Sequence, residues 1–416
     1  MPSLSRLILM ILIIIALMAS IEFMSYRSLQ RTYSSASWWF SARAAWWALS
    51  IGVWVLFISS MIMWPLWRET QPRLLSGISV VFIVILVPKL VLGTFQLLED
   101  IRWLTAAGLR SASGSVNPIS RSTFLSALGQ GTAALTFGGF LYGVTWGKYA
   151  YRAEHHRLEL PGLPKSMAGL KVIQISDAHL GSFHGMPEPV LKALQRINAL
   201  EPDLILFTGD LVNTLADEAE SWIPAFAQLQ ARLGKFSIMG NHDYADYGNF
   251  TKRQRRESIA RLHEIHEEMG FRLLLNSHEV LHVEDGELII AGVENWGQGF
   301  RKSGDLTQAL SGSQNDKRCT ILMSHDPTHW EEEVMGGKAN VELTLSGHTH
   351  GMQLGIEIPW LGLKMSPSKL RYKRWGGLYK EQDQILHVNR GFGVLGFHGR
   401  VGMPPEITAL ELQPKA

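Results

Sequence analysis

The sequence predicts two parts of different physics: an all-α transmembrane module of about four helices, then an α/β domain built on a parallel sheet. Three observations predict it. Residues 1–150 hold four apolar stretches of spanning length. The remainder carries the charge content of an ordinary globular domain. Within that remainder, short β-branched runs alternate with segments of helical period, and each run empties into a polar cluster rich in Asp and His.

The four stretches are Leu7–Met24, Trp46–Trp67, Leu75–Leu98 and Phe124–Trp146. Each approaches or exceeds the roughly 20 residues that a helix needs to cross a ~30 Å hydrocarbon core. Three further spans follow the first, so it is more than a cleaved signal peptide. Trp38, Trp39, Trp46, Trp47, Trp64 and Trp67 fall at span ends, where amphipathic rings settle at the membrane–water boundary. Lys89, after Pro88 in the middle of the third span, calls for a partner or a wet crevice, and Glu22 near the end of the first span is a candidate partner.

The net charge of +2 over 416 residues is unevenly spread: residues 1–150 carry 11 Lys/Arg against 4 Asp/Glu, and the rest 28 against 33. No concentrated basic face emerges, which excludes a nucleic-acid partner. One cysteine, Cys319, excludes an internal disulfide and a cysteine-rich zinc site, but leaves the compartment open. Charges flanking the spans do not decide the orientation. Ser120-Arg121-Ser122-Thr123-Phe124-Leu125 resembles a twin-arginine export signal whose second arginine is a serine. That resemblance implies a bacterial inner-membrane protein with its catalytic domain outside the cytoplasm. Residues 1–147 are thus expected as the transmembrane module, 148–167 as a polar linker containing His155 and His156, and 168–416 as the catalytic domain.

In the second half, Lys171–Ser176 reads as a buried strand that ends at Asp177-Ala178-His179. Asp203–Thr208 ends at Gly209-Asp210, and Lys235–Met239 at Gly240-Asn241-His242-Asp243. Segments Glu188–Leu200 and Leu215–Leu233 between them show helical spacing, which makes a βαβαβ run. Thr320–Met323 then releases Ser324-His325-Asp326-Pro327, and Val341–Leu345 releases Ser346-Gly347-His348-Thr349-His350. An open α/β sheet gathers its site at the carboxyl ends of its strands, so five polar clusters so placed point to one site.

These five clusters resemble, in order, the motif set of the calcineurin-like metallophosphoesterases, over about residues 168–412. The spans, Val388-Asn389-Arg390-Gly391 and Pro405-Glu406-Ile407 are similar to a membrane-anchored bacterial phosphodiesterase subgroup of that family. The resemblance implies a four-layer αββα sandwich. It implies one metal held by Asp177, His179 and His350, a second by Asn241, His325 and His348, and Asp210 bridging them. It also implies a hydroxide held between the ions that attacks phosphorus in line. Nitrogen and oxygen donors without thiolate suit Mn, Zn or Fe. By the same resemblance His242 would hydrogen-bond a phosphate oxygen or protonate the leaving alkoxide, and adjacent Asp243 either orients that imidazole or stabilises the turn.

His184 and Arg390 are candidate substrate contacts, and Arg400 either clamps phosphate or braces its turn. The segment 362–375 interleaves Lys364, Lys369, Arg371, Lys373 and Arg374 with Tyr372 and Trp375, a composition suited to an anionic lipid surface. A helix over Thr251–Met269 is expected beside His242. The resulting expectation is a membrane-anchored phosphodiesterase or phosphomonoesterase with the bilayer and a phosphate ester, lipid-linked or from the envelope, as partners. Its alternatives are a pyrophosphohydrolase of a nucleotide-linked lipid precursor and a ligand-binding receptor or transporter subunit.

Overall fold

Apolar content and helical propensity coincide early in the chain, and four long helices result: α1 (Leu4–Tyr33), α2 (Trp39–Thr70), α3 (Pro72–Ser113) and α4 (Ile119–Thr145). The computed structural model describes residues 4–113, 119–183, 185–313 and 318–415. Each helix contains a segment able to cross a bilayer: Leu12–Tyr33, Trp39–Trp64, Leu74–Thr105 and Phe124–Thr145. Large apolar side chains point outward, with Phe40, Ile62 and Leu135 at 69%, 72% and 80% exposure. Water would penalise such a surface and lipid tails do not. The helices outrun the apolar stretches because helical hydrogen bonding continues through the polar residues at their ends.

Inside this unit α3 packs against both α1 and α2. Lys89 of α3 donates to Glu22 Oε1 at 2.5 Å and to Ser50 Oγ at 2.6 Å. Glu22 accepts further bonds from Ser50 Oγ and Trp54 Nε1, both at 3.1 Å. The charge in the third span therefore has the partner that its position calls for.

The second compact unit, Gly143–Ala416, is built on strands. In chain order, β1 (Arg152–Leu160), β2 (Leu170–Ile175), β3 (Leu204–Phe207), β4 (Gly234–Ser237) and β5 (Arg272–Leu273) enter the first sheet. The chain then crosses to a second sheet with β6 (Ser277–Val283), β7 (Gly286–Gly292), β8 (Cys319–Met323) and β9 (Leu343–Ser346). A hairpin of β10 (Ile356–Ile358) and β11 (Leu363–Met365) stands apart; β12 (Gly377–Glu381) and β13 (Gln384–Val388) complete the second sheet. Finally β14 (Glu406–Pro414) returns to the first, giving orders β1-β14-β2-β3-β4-β5 and β12-β13-β9-β8-β7-β6. β2 through β5 are parallel, and so are β7, β8, β9 and β13. Helices α5 (Glu188–Ala199), α6 (Asp217–Glu220), α7 (Ile223–Ala227), α8 (Lys252–Glu268) and α9 (Leu306–Ala309) fill the connections.

Period-two alternation explains the layers. Val172, Leu204 and Leu206 of the first sheet face Ile290, Ile321, Met323 and Leu343 of the second in one core. Ile173, Ile175, Ile205 and Phe207 face the other way, against α5 and α8. Leu322, Leu386 and Val388 pack outward on Trp330 and Val334. The result is the αββα sandwich that the resemblance implies.

Two expectations are corrected. The segment taken for a polar linker contains β1, which pairs in parallel with β14 from Arg152↔Glu406 to Leu160↔Pro414. As a solvent-side edge strand it needs only Leu158 and Leu160 as apolar anchors, so its polar composition hides it. Leu215–Leu233 holds two short helices, not one, because Pro224 sits in the first turn of α7 and lacks the N–H to continue α6. The helix expected at Thr251 is α8, whose N-terminus is closed by Thr251 and Gln254 bonding each other reciprocally.

Candidate metal centre

The carboxyl ends of β2, β3 and β4 from one sheet, and of β8 and β9 from the other, converge. The loops that leave them are bent where side chains rarely allow: Asp177, His179, Asp210, His348 and His350 have φ of 53°, 43°, 59°, 72° and 51°. Left-handed backbone costs roughly 1–2 kcal/mol per such residue. Strain that recurs at five neighbouring polar residues marks a functional site. The loops also meet too closely for a side chain in between. A Cβ on Gly240 would strike the Asp210 carboxylate, and one on Gly347 would strike Ser176 and Asp177.

Two donor groups result, Asp177–His179–His350 and Asp210–His325–His348. In the first, His179 and His350 bring their Nε2 atoms to 3.1 Å, and His350 Nε2 lies 3.2 Å from Asp177 Oδ1. In the second, His325 Nε2 stands 3.1 Å from Asp210 Oδ2. The same Oδ2 is 3.6 Å from His179 Nε2, so one carboxylate oxygen faces both groups. Its other oxygen accepts the His242 backbone N–H at 2.8 Å. Asn241 follows β4 next to His242, whose backbone N–H meets Asp210; its Nδ2 donates to Tyr247 Oη at 2.7 Å, which leaves buried Oδ1 without a hydrogen-bond partner. His325 Nε2 faces Asp210, while its Nδ1 is held by the Thr208 carbonyl at 2.7 Å.

The electrostatics fit cation binding. Burial pushes His179 down to about 3 and His348 down to about 4, keeping their lone pairs available. Burial also works against ionised Asp177 and Asp210, but the charges of His350 and His325 outweigh it and hold both carboxyls below the usual range. Burial lowers His325 in turn, yet Asp210 and Asp177 raise it to about 10. The donor set thus recruits positive charge from its own imidazoles. Divalent cations would supply that charge directly, and the unpartnered Asn241 Oδ1 and the His325 Nε2 beside Asp210 fit them as ligands.

His242 is half-buried, and its Nδ1 lies 2.7 Å from the Asn213 carbonyl. Tyr247 stacks on its ring, centroids 4.2 Å apart. Asp243 does not orient this imidazole. Its buried carboxylate turns away and accepts N–H bonds from Gly240, Asp210, Leu211 and Val212 at 2.8–3.2 Å, tying the β3 and β4 loops together. Burial and the Asp210 charge push Asp243 up to about 7, against those four donors, which favour the anion.

Arg390 is likewise no free phosphate clamp. Glu406 holds it at 2.6 Å and Glu357 at 2.7 Å. Arg400 braces, donating to the carbonyls of Arg390, Gly391, Gly393 and Met403. His184 lies outside the described residues. The sequence reading missed Tyr247 as the group that aims Asn241, and Tyr372, whose hydroxyl meets His348 Nε2 at 2.9 Å. Both tyrosines reach the site from loops whose course only tertiary packing sets.

Sandwich and donor set together define a metal-dependent phosphoric ester hydrolase. Residues 170–352 match the family described as "Calcineurin-like phosphoesterase", and residues 5–148 match "Probable Calcineurin-like phosphoesterase, transmembrane domain". The chain is 30% identical over 304 residues to "Uncharacterized metallophosphoesterase YkuE" of Bacillus subtilis, covering 71% of this chain and 98% of that one. It is 29% identical over 259 residues to "Transmembrane protein with metallophosphoesterase domain" of Danio rerio, covering 60% of this chain and 55% of that relative. It is 29% identical over 296 residues to "UDP-2,3-diacylglucosamine pyrophosphatase LpxG" of Chlamydia trachomatis, covering 59% and 85%. This chain belongs to the calcineurin-like metallophosphoesterases and is an integral membrane protein.

Proposed function

We propose that the protein hydrolyses a phosphate ester on a lipid-borne substrate, using two divalent cations of the Mn, Zn or Fe type. The observation that carries this reading is Asp210 Oδ2, placed 3.1 Å from His325 Nε2 and 3.6 Å from His179 Nε2, where one oxygen serves both donor groups. Asp177, His179 and His350 would hold one cation, Asn241, His325 and His348 the other, and Asp210 both. Bound there, the cations supply positive charge to a phosphoryl group and make a nearby water more acidic. His242 moves the proton. A carbonyl only accepts, so the bond to Asn213 keeps the proton on Nδ1 and leaves Nε2 to take up a proton and give it to the leaving oxygen. Tyr247 holds the ring plane and Tyr372 the His348 ring during this step.

The lipid-borne substrate is supported by the four spans in the same chain. The segment Ser120–Leu125 supports a bacterial inner membrane with the catalytic unit, residues 168–416 extended at its start by β1, outside the cytoplasm. A second reading is favoured by the name of the Chlamydia relatives: cleavage of a pyrophosphate in a nucleotide-linked lipid.

Metal-loaded full-length protein in detergent should hydrolyse bis-p-nitrophenyl phosphate and convert a lipid in membrane extracts to a new product seen by mass spectrometry. Release of a nucleoside monophosphate selects the pyrophosphate reading. Protein that holds two metals and cleaves no ester or anhydride sinks both.

A further inference from the structure

Most of the exposed large apolar side chains of the catalytic unit fall between Met352 and Leu370. Ile356 of β10 and Met365 of β11 are cross-strand partners and are 55% and 57% exposed. At the tip between them Trp360 is 82% exposed, and Leu370, just beyond the hairpin, is 94% exposed. Such a ridge marks an interaction surface.

The ridge is rooted in the wall of the metal centre. The chain leaves the donor His350, and Gly355 N bonds the Val401 carbonyl at 2.9 Å. On its return Ser366 Oγ donates to Gly351 O at 2.6 Å and Ser368 Oγ to Thr349 O at 3.3 Å. Two residues past Leu370, Tyr372 bonds the donor His348.

Charge identifies the occupant. Residues 351–375 contain five basic residues and one acidic, Glu357, which Arg390 engages. Of the five, Arg374 pairs with Glu331 at 2.9 Å and Lys364 bends to the Gly376 carbonyl. Arg371 donates to the Gln298 carbonyl at 3.3 Å and lies over the Phe300 ring, while Lys369 and Lys373 remain exposed around Leu370, and among the described residues no carboxylate pairs with any of the three. Lysine is depleted in protein interfaces, whereas tryptophan beside lysine suits the headgroup layer of an anionic bilayer. The spans keep a bilayer within reach of the same chain.

We propose that the β10–β11 hairpin and residues 369–373 dock into the headgroup layer of an anionic bilayer, with Trp360 and Leu370 entering the acyl boundary and the cations taking lipid phosphates. The docking stands apart from the reaction, since the hairpin enters the membrane whether an ester or an anhydride is cut.

The test uses full-length Trp360→Cys labelled with an environment-sensitive fluorophore. Cys319 is fully buried, and burial pushes its thiol up, so it stays unlabelled. In nanodiscs of phosphatidylglycerol with phosphatidylcholine, emission should shift to the blue, and brominated acyl chains should quench it at least about twofold more than in phosphatidylcholine alone. Lys369→Glu with Lys373→Glu should remove that difference while leaving thermal unfolding unchanged. The same label at exposed Asp285→Cys should not be quenched. Absent quenching overturns the proposal. So does a blue shift that bromine does not quench, which means protein cover by a second copy or a partner. Equal quenching in both lipids, untouched by charge reversal, overturns the anionic-surface assignment.

Discussion

Glu22 and Lys89 in the membrane unit form an ion pair shielded from solvent, as do Asp210 and His325 in the catalytic unit. What surrounds the two pairs differs. Around Glu22, Ser50, Trp54 and Lys89 supply hydrogen bonds to both carboxylate oxygens, and Lys89 also lies 4.6 Å from the Trp46 ring centroid. Around Asp210, Asn241 Oδ1 and His179 Nδ1 have no hydrogen-bond partner, and the backbone is held in left-handed conformations. A buried ion pair whose own charged atoms all find hydrogen-bond partners is a staple. Strained loops that aim unanswered donor atoms at one point make a ligand site.

The largest effect should come from Asp210→Asn, which removes the shared charge. Turnover of bis-p-nitrophenyl phosphate should fall by about 10³-fold or more, about 4 kcal/mol of barrier, with metal content falling in parallel by elemental analysis. Retained turnover would break the ligand-site half of the comparison. Glu22→Gln should instead cost about 3–5 kcal/mol of stability in detergent while each properly folded molecule keeps its turnover. Replacing both partners, Glu22→Met with Lys89→Met, should recover most of that stability. Loss of turnover in the double variant would show that the pair does more than staple helices.

His242→Ala should keep both metals and lose about 10²–10⁴-fold in turnover. A metal-loaded variant of normal activity removes His242 from the proton step. Buried His266 on α8 calibrates the stability side. Burial, helped by the charge of His263, pushes it down to about 3. Unfolded histidine titrates near ~6.5, so below that pH the unfolded chain binds a proton that the folded chain refuses. Stability is therefore complete above ~6.5 and is lost toward acid at about 1.4 kcal/mol per pH unit until ~3. In urea titrations, His266→Met should flatten that slope by one proton. The smallest effect is Tyr247→Phe, which loses the hydroxyl that aims Asn241, about 1 kcal/mol or 3–10-fold in turnover or metal affinity.

The strands that carry the donors were readable because β2, β3, β8 and β9 are almost wholly buried and so appear as short runs dominated by apolar residues, each ending in a polar cluster. Edge strands were not. β1 and β6 spell Arg-Ala-Glu-His-His and Ser-His-Glu-Val, patterns that suit solvent as well as a sheet. Within the site, strand-end position identified residues but not the direction of their side chains. Asp243 adjoins His242 in sequence, yet it serves the β3 loop because four N–H groups meet there once the sheet forms. Arg390 looked available until Glu357 and Glu406, 33 and 16 residues away in the chain, closed on it.

β14 carries a consequence for biosynthesis. It lies between β1 and β2, so a strand made long after both of its neighbours closes the gap between them. Its Glu406 also holds Arg390 and reaches His387 and Asn389. While the ribosome still holds residues 406–414, β2 has an open edge and the loop after β13 lacks its anchor. Pairing β1 with β14 then joins residues that lie some 250 positions apart, a slow class of contact. The spans can already be in the bilayer by then, so the nascent protein is a membrane protein before it is an enzyme. Any product shortened before Glu406 is left with an unpaired strand open to aggregation.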